Sequence, residues 1–268
     1  MKSGVIKKLT LILMLMACLC WMAGCGSSGQ AEESADDAAA PAVADPLSVE
    51  FDIATAEDSP EWVTKLKEAE DAEQLFVVAG IGKTTAYVSM HQKDADGNWK
   101  QIFTTPGYIG KSGLGKTKEG DMMTPVGDFK FNYAFGISPD PGCTAFEYQQ
   151  VTEDDYWSGD QREGYHYNEM VSIKDYPDLN VEDSEHIVDY NYHYQYCLNI
   201  SWNDDGTPGK GSAIFLHCLG PNKPYTGGCV AIPEQHVVTT LKNVHEDCVV
   251  VIDSLETLGP DLWNEWEL

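Results

Sequence analysis

The chain has 268 residues and a formal net charge of −26, with 17 Lys+Arg against 43 Asp+Glu. Such acidity repels nucleic-acid phosphates and anionic lipid head groups and so argues against both as partners. A 43% hydrophobic and 10% aromatic content excludes a disordered acidic chain, and eight Cys are too few for a disulfide scaffold.

Lys2, Lys7 and Lys8 precede an apolar run from Leu9 to Ala23. The run is too short for a spanning helix and reads as an export signal. It closes in Met22-Ala23-Gly24-Cys25, which resembles the bacterial lipobox, with Met where Leu is commoner. That resemblance implies removal of residues 1–24, a diacylglycerol on Cys25, and an extracytoplasmic protein held at the cell membrane facing the wall. The alternative is an ordinary cleaved signal with an incidental Cys. Residues 25–58 are small, acidic and proline-punctuated, as in a flexible tether.

The folded domain is expected over 59–268, with a core at about 74–253. Ser59 and Pro60 are placed to open a short helix reaching about Gln74. Strand-type runs follow at Leu75–Ala79, Thr85–Met90, Trp99–Thr104, Gly127–Phe135, Tyr194–Trp202, Ser212–Cys218 and Cys248–Asp253. One amphipathic helix, opened by Pro233, covers Glu234–Val244. The Asp-rich stretch Asp94–Asn98 lacks the glycine a calcium loop needs at its sixth position, which is Trp99, and reads as a hairpin turn. Many strands without regular helix alternation predict a mainly β fold, an antiparallel or mixed β-sandwich.

Gly110–Thr117 (GKSGLGKT) matches the phosphate-cradling pattern GxxxxGK[ST] letter for letter. That pattern binds phosphate only when a helix starts at its Lys. Gly120, Pro125 and Gly127 forbid one here, so nucleotide is not expected as a ligand and the stretch reads as a mobile glycine-rich loop.

Residues 211–232 (GSAIFLHCLGPNKPYTGGCVAI) are the most informative. His217 ends an apolar strand, and Cys229 follows the turn Thr226-Gly227-Gly228. Thiol chemistry needs a base for the proton and N–H groups for the oxyanion. The glycines leave the N–H groups of Gly227, Gly228 and Cys229 accessible, and a nearby imidazole favours thiolate. The residues alone equally allow a buried structural Cys and a satisfied strand-end His. A zinc site on His217, Cys218 and Cys229 is disfavoured, because successive strand residues face opposite ways. No metal and no cofactor is expected.

This block resembles the catalytic core of the bacterial L,D-transpeptidase family, whose signature is a strand-end His, a loop, then [Ser/Thr]-His-Gly-Cys-aliphatic-Arg/Asn. By that resemblance His217 is the base and Cys229 the nucleophile; Thr226, Gly228 and Val230 also fit. Upstream, Thr124-Pro125-Val126-Gly127-Asp128-Phe129 is similar to the family's TPxGxF, and Asp155-Tyr156-Trp157 and Ser184-Glu185-His186 look like a clostridial-type branch. The resemblance implies an L,D-transpeptidase-type β-sandwich with a few short helices. It also implies a Cys229 thioester with a peptidoglycan stem peptide, resolved by an acceptor amine as a 3–3 type crosslink, and sensitivity to carbapenems. Water as acceptor would make the same site an L,D-carboxypeptidase. Three departures stand out: Gly227 replaces the second His, Ala231 replaces the Arg or Asn, and the His217–Cys229 loop is short. The only Arg in the chain is Arg162, so Lys223 is the expected stand-in for holding a substrate carboxylate, as a point charge.

Residues 139–196 hold nine of the thirteen Tyr and little regular pattern, fitting either a binding lid or a packed extension. His186 and His193, within it, are expected to be structural or superficial. Cys143, Cys197, Cys218 and Cys248 are expected as free thiols. A non-catalytic wall-binding lipoprotein that kept the fold is the rival to the enzyme; both Cys229 and His217 being present favours the enzyme.

Overall fold

Apolar-rich runs bounded by turn formers become the longer strands of the protein in a computed structural model that describes residues 51–221 and 223–259. The expected signal segment, Cys25 and residues 25–50 of the tether lie outside the described residues. In chain order the strands are β1 (Gln74–Gly80), β2 (Thr85–Lys93), β3 (Trp99–Tyr108), β4 (Gly127–Gly136), β5 (Tyr148–Gln150) and β6 (Asp155–Trp157), then β7 (Met170–Ser172), β8 (Glu185–His186), β9 (Cys197–Ile200), β10 (Phe215–Cys218), β11 (Val230–Ile232) and β12 (Val249–Ser254). The helices α1 (Glu234–Asn243) and α2 (Leu255–Leu258) flank β12.

The main sheet runs β12-β1-β2-β3-β11-β10-β9-β4-β5, and β12 also pairs with β4. The fold is therefore mainly β, as expected, and the two layers of the sandwich join into a closed barrel. Pairs β1–β12, β10–β11 and β4–β5 are parallel, and the others antiparallel. The barrel interior is aliphatic and aromatic: Phe76, Val78, Val88, Met90, Phe131, Leu216 and Ile232 are all buried there, with Val237 and Leu241 of α1 closing one end. Burying each such side chain contributes about 1.5–3 kcal/mol.

β1 is apolar from Leu75 to Ala79 because both its faces are covered. Phe76 and Val78 point inward, while Leu75, Val77 and Ala79 meet Trp62, Val63, Leu66, Ala69 and Ala72 outside the barrel. The helix expected from Ser59 to Gln74 is instead two 3-10 turns, Glu61–Lys65 and Lys67–Ala69, broken at Leu66 in an extended conformation. The reason is the spacing of the buried residues 63, 66, 69 and 72, which recur every three positions and suit a 3-10 turn better than an α-helix. Ser59 does not cap; its hydroxyl bonds the buried His91 ring at 2.9 Å. Residues 57 and 58, at the end of the expected tether, pair with the barrel. Gln101 N–H donates to Glu57 O, Ser59 N–H donates to Trp99 O, and Asp58 pairs with Lys100, which pins 57–59 along β3.

Asp94 Oδ1 accepts the N–H groups of Asp96 and Asn98, which makes the Asp-rich stretch a hairpin turn. The Tyr-rich segment is more regular than its sequence suggests: β6 pairs with β7 and β8 in a separate three-stranded sheet. Together with the 3-10 turn Ile187–Asp189 and Tyr194 it covers the outer face of β4, β9 and β10. There Phe135, Cys197, Phe215 and Cys229 pack with Val151, Trp157, Ile187 and Tyr194. Among the described residues no helix is long and apolar enough to cross a membrane.

Candidate active site

Alternation along β10 and β11 decides which side chains share the covered outer face. Leu216 and Cys218 point into the barrel with Val230 and Ile232, so Phe215, His217 and Ala231 point out. The parallel register sets Leu216 beside Val230 and His217 beside Ala231. Cys229, one residue before β11, then falls diagonally from His217 on the same face. Both line one cavity of about 400 Å³ between the barrel and the Tyr-rich cover. His217 and Cys218 face opposite ways.

Cys229 lies at the foot of this cavity, 6% exposed. Its sulfur accepts the Phe215 N–H at 3.4 Å, and its S–H donates to Ala213 O at 3.2 Å. Burial, then the charge of Glu185, pushes the thiol up to about 12. The Nδ1 of His217 donates to Cys218 O at 2.9 Å. A carbonyl only accepts, so this bond assigns the ring proton to Nδ1 and leaves the Nε2 lone pair free. Burial lowers His217 to about 4, so it is a neutral base at pH 7. The resting pair is thus thiol and imidazole, not an ion pair.

Two threonines fix the turn before Cys229. Thr226 Oγ1 donates to Cys229 O at 2.7 Å and accepts the Gly228 N–H at 3.1 Å. Thr124 Oγ1 accepts the Gly110 N–H and donates to Gly228 O at 2.7 Å. Gly228 has φ +149°, and a Cβ there would sit 2.8 Å from Met123 O, so only glycine fits. The Gly228 N–H is already spent on Thr226, and Gly227, exposed at the rim, is the glycine whose N–H the turn leaves open.

The stretch expected to be a mobile loop is instead a tied wall of the cavity. Asp121 accepts the N–H groups of Thr117, Lys118 and Met123, and no helix starts at Lys116. Lys116, with its side chain 2% exposed, pairs with Asp121 at 3.2 Å and lines the cavity. Its charge pulls the Cys229 thiol downward, against the larger effect of burial. Lys223, the expected stand-in for the missing Arg, also lines the cavity but is exposed. Arg162 is bound to Asp160 and to Asp178 O, away from the cavity. Ala231 faces the cavity between His217 and Tyr108, so nothing at that position carries charge.

Sequence reasoning missed the contribution of the cover. Tyr194 donates its hydroxyl to Glu185 Oε2 at 2.7 Å, sets its ring edge-on to His217 at 5.4 Å, and lines the cavity with Cys229. Trp157 packs against Phe215 at 4.8 Å. His193, expected to be structural or superficial, lines the cavity edge-on to His217 at 5.6 Å; its Nδ1 is buried without a hydrogen-bond partner among the described residues. His186 matches its expected lack of a site role: it stacks on Tyr156 and donates to Glu153 O outside the cavity. The density of Tyr in 139–196 was the available signal for the cover. Cys143, Cys197, Cys218, Cys229 and Cys248 are free thiols.

The family model of the L,D-transpeptidase catalytic domain (YkuD) matches residues 70–252. No curated protein matches the chain. Two solved structures are similar in fold: the helical cell shape determining protein Pgp2 from Campylobacter jejuni and an L,D-transpeptidase from Mycobacterium smegmatis. The first shares 14% identity at a TM-score of 0.36, covering 72% of this chain and 54% of that one. The second shares 15% identity at a TM-score of 0.33, covering 68% of this chain and 59% of that one. The chain thus spans little more than half the length of either.

Proposed function

The chain belongs to the L,D-transpeptidase catalytic-domain family, and from that premise we propose that it is a cysteine-dependent L,D-transpeptidase acting on peptidoglycan stem peptides. The reading rests on one observation: Cys229 and His217 share the outward face of neighbouring parallel strands and open into the same cavity. His217 Nε2 takes the Cys229 proton as the sulfur attacks the carbonyl of the diamino acid in the stem. The open N–H of Gly227 faces the developing oxyanion. The C–N bond to the terminal D-alanine breaks, His217 returns the proton to the departing nitrogen, and a thioester remains. An acceptor amine then attacks the thioester, giving the crosslink and restoring the thiol.

The high thiol and low imidazole values fit this sequence, because neither group needs to be charged before the substrate arrives. We include in the proposal export through residues 1–24, a lipid on Cys25, and an acidic tether that ends before Glu57. Palmitate labelling of the whole chain in bacterial cells, lost in Cys25→Ser, is the expected result for the anchor; labelling that persists in that variant contradicts it.

For the activity, the full chain is incubated with a tetrapeptide muropeptide and the products weighed. A dimer that has lost one D-alanine supports crosslinking, and a tripeptide alone supports L,D-carboxypeptidase activity. Neither product would favour a wall-binding protein that kept the fold.

A further inference from the structure

Glu185 is a carboxylate without a counter-ion inside the cavity. It opens β8, in the three-stranded sheet that covers the outer face. Its one hydrogen-bond donor is the Tyr194 hydroxyl at 2.7 Å, and among the described residues no Lys, Arg or His pairs with it. Lys116, the buried cation of the same cavity, is committed to Asp121. The residue is half-buried, and a carboxylate partly withdrawn from water with no cation beside it favours a proton or a cationic partner. Burial pushes Glu185 up to about 7, with the charge of Glu119 adding to the effect. Glu185 and Tyr194 line the same cavity as Cys229 and His217, and the charge of Glu185 acts on the Cys229 thiol.

We propose that Glu185 is the amine-binding residue of the site: it holds the acceptor as an ammonium ion beside the Cys229 thioester, takes one of its protons, and so selects an amine over water. The assignment rests on the acyl-transfer reading above and deepens it. The acceptor enters as R–NH3+ and gives one proton to the Glu185 carboxylate. Its nitrogen then attacks the thioester carbonyl, so that the N–C bond forms and the C–S bond breaks. The second proton goes to His217 Nε2 and from there to the departing thiolate, which restores the thiol. In the preceding half-reaction the leaving D-alanine nitrogen receives the thiol proton through His217, and the Glu185 carboxylic acid gives it the further proton that makes it ammonium. Over one cycle Glu185 returns to its starting state and no proton is left over. Water is neutral and lacks the charge attraction that draws an ammonium ion to the carboxylate, which is how one group biases the outcome toward crosslinking.

The test measures partition. The full chain and its Glu185→Gln variant are given the same tetrapeptide muropeptide as donor and acceptor, and crosslinked dimer and hydrolysed tripeptide are quantified by mass spectrometry. The expected result is a dimer-to-tripeptide ratio at least about tenfold lower in Glu185→Gln, a higher KM for the acceptor, and partial recovery in Glu185→Asp. An unchanged ratio, even with both rates lowered together, means a structural role and overturns the proposal. A second measurement needs no variant: competition by an acceptor analogue whose amine is replaced by hydroxyl. The native protein is expected to bind this analogue at least about tenfold more weakly than the amine, and equal binding overturns the proposal. A native protein that never forms an acyl-enzyme on Cys229 overturns the acyl-transfer reading instead, a failure seen before any ratio is compared.

Discussion

Cys218 and Cys229 lie on opposite faces of the same strand pair, and burial pushes both thiols up to about 12. Cys218 points into the barrel among Leu216, Val230 and Ile232, with Tyr196 O as a weak acceptor at 3.7 Å. Cys229 points into the cavity, with His217, Tyr194 and Glu185 around it. Titration therefore does not distinguish the two; access and a neighbouring base do. The inner face is apolar, with Cys218 and Cys248 among aliphatic and aromatic side chains, whereas the covered outer face sets aromatic rings beside the polar groups of the cavity.

Four outcomes sharpen or break that contrast. The largest is in activity: Cys229→Ser is expected to lower crosslink formation by about 10³-fold or more, while Cys218→Ser keeps it within about threefold and loses about 1–3 kcal/mol of stability from burying a hydroxyl. Equal losses of activity in the two variants would erase the distinction. His217→Gln is expected to cost about 10²–10⁴-fold in the rate of acylation, the usual value of a positioned base. A loss under threefold would pass the role to His193, the other imidazole of the cavity.

The third outcome compares the two faces by stability in urea melts. Phe131 fills the barrel and Phe135, on the same strand β4, packs beneath the cover. Replacing either with Ala is expected to cost about 3–5 kcal/mol. A cost below about 1 kcal/mol at Phe135 would mean that the cover is a detachable flap and not part of the cooperative core.

The smallest effect is on pH dependence. Burial lowers His91 to about 3 and His217 to about 4. Below pH 6.5 the unfolded chain binds protons at both histidines that the folded chain does not, so each lowers stability as the pH falls. Glu185 runs the other way: its folded value of about 7 lies above the unfolded carboxylate value, so it gains stability as the pH drops from 7 to about 4.5. His91 and His217 against Glu185 leave a net loss of about 1.4 kcal/mol per pH unit between pH 6.5 and 5, and His236, which burial also lowers, adds to it. Thermal melts should show that slope, steeper in Glu185→Gln; stability rising as the pH falls through this window would contradict the burial assigned to both histidines.

Much of the barrel was legible because its strands are long apolar runs between turn formers, and α1 because Pro233 and an amphipathic pattern mark it. What was lost had physical reasons. β11 has three residues behind a glycine turn and carries no periodicity of its own. The stretch after Ser59 alternates at three, not at 3.6, and was misjudged as an α-helix. The GKSGLGKT loop has glycine in three of its eight positions, yet Asp121 ties its end down through Lys116 and Thr117, contacts that its spacing does not reveal. In the site, Cys229 and His217 were visible as a motif. Glu185, Tyr194, His193 and Lys116 were not, because they reach the cavity from segments distant in sequence. The bond from the Gly228 N–H to the Thr226 hydroxyl, two residues back, was not legible either.

The central claim is that one thiol of five among the described residues reacts, and that its face decides it. Intact-mass and peptide-map analysis of the full chain after incubation with a carbapenem tests this most directly. The account predicts a single covalent adduct on Cys229, absent in Cys229→Ser and retained in Cys218→Ser. An adduct on Cys218, or none on the native protein, would contradict it.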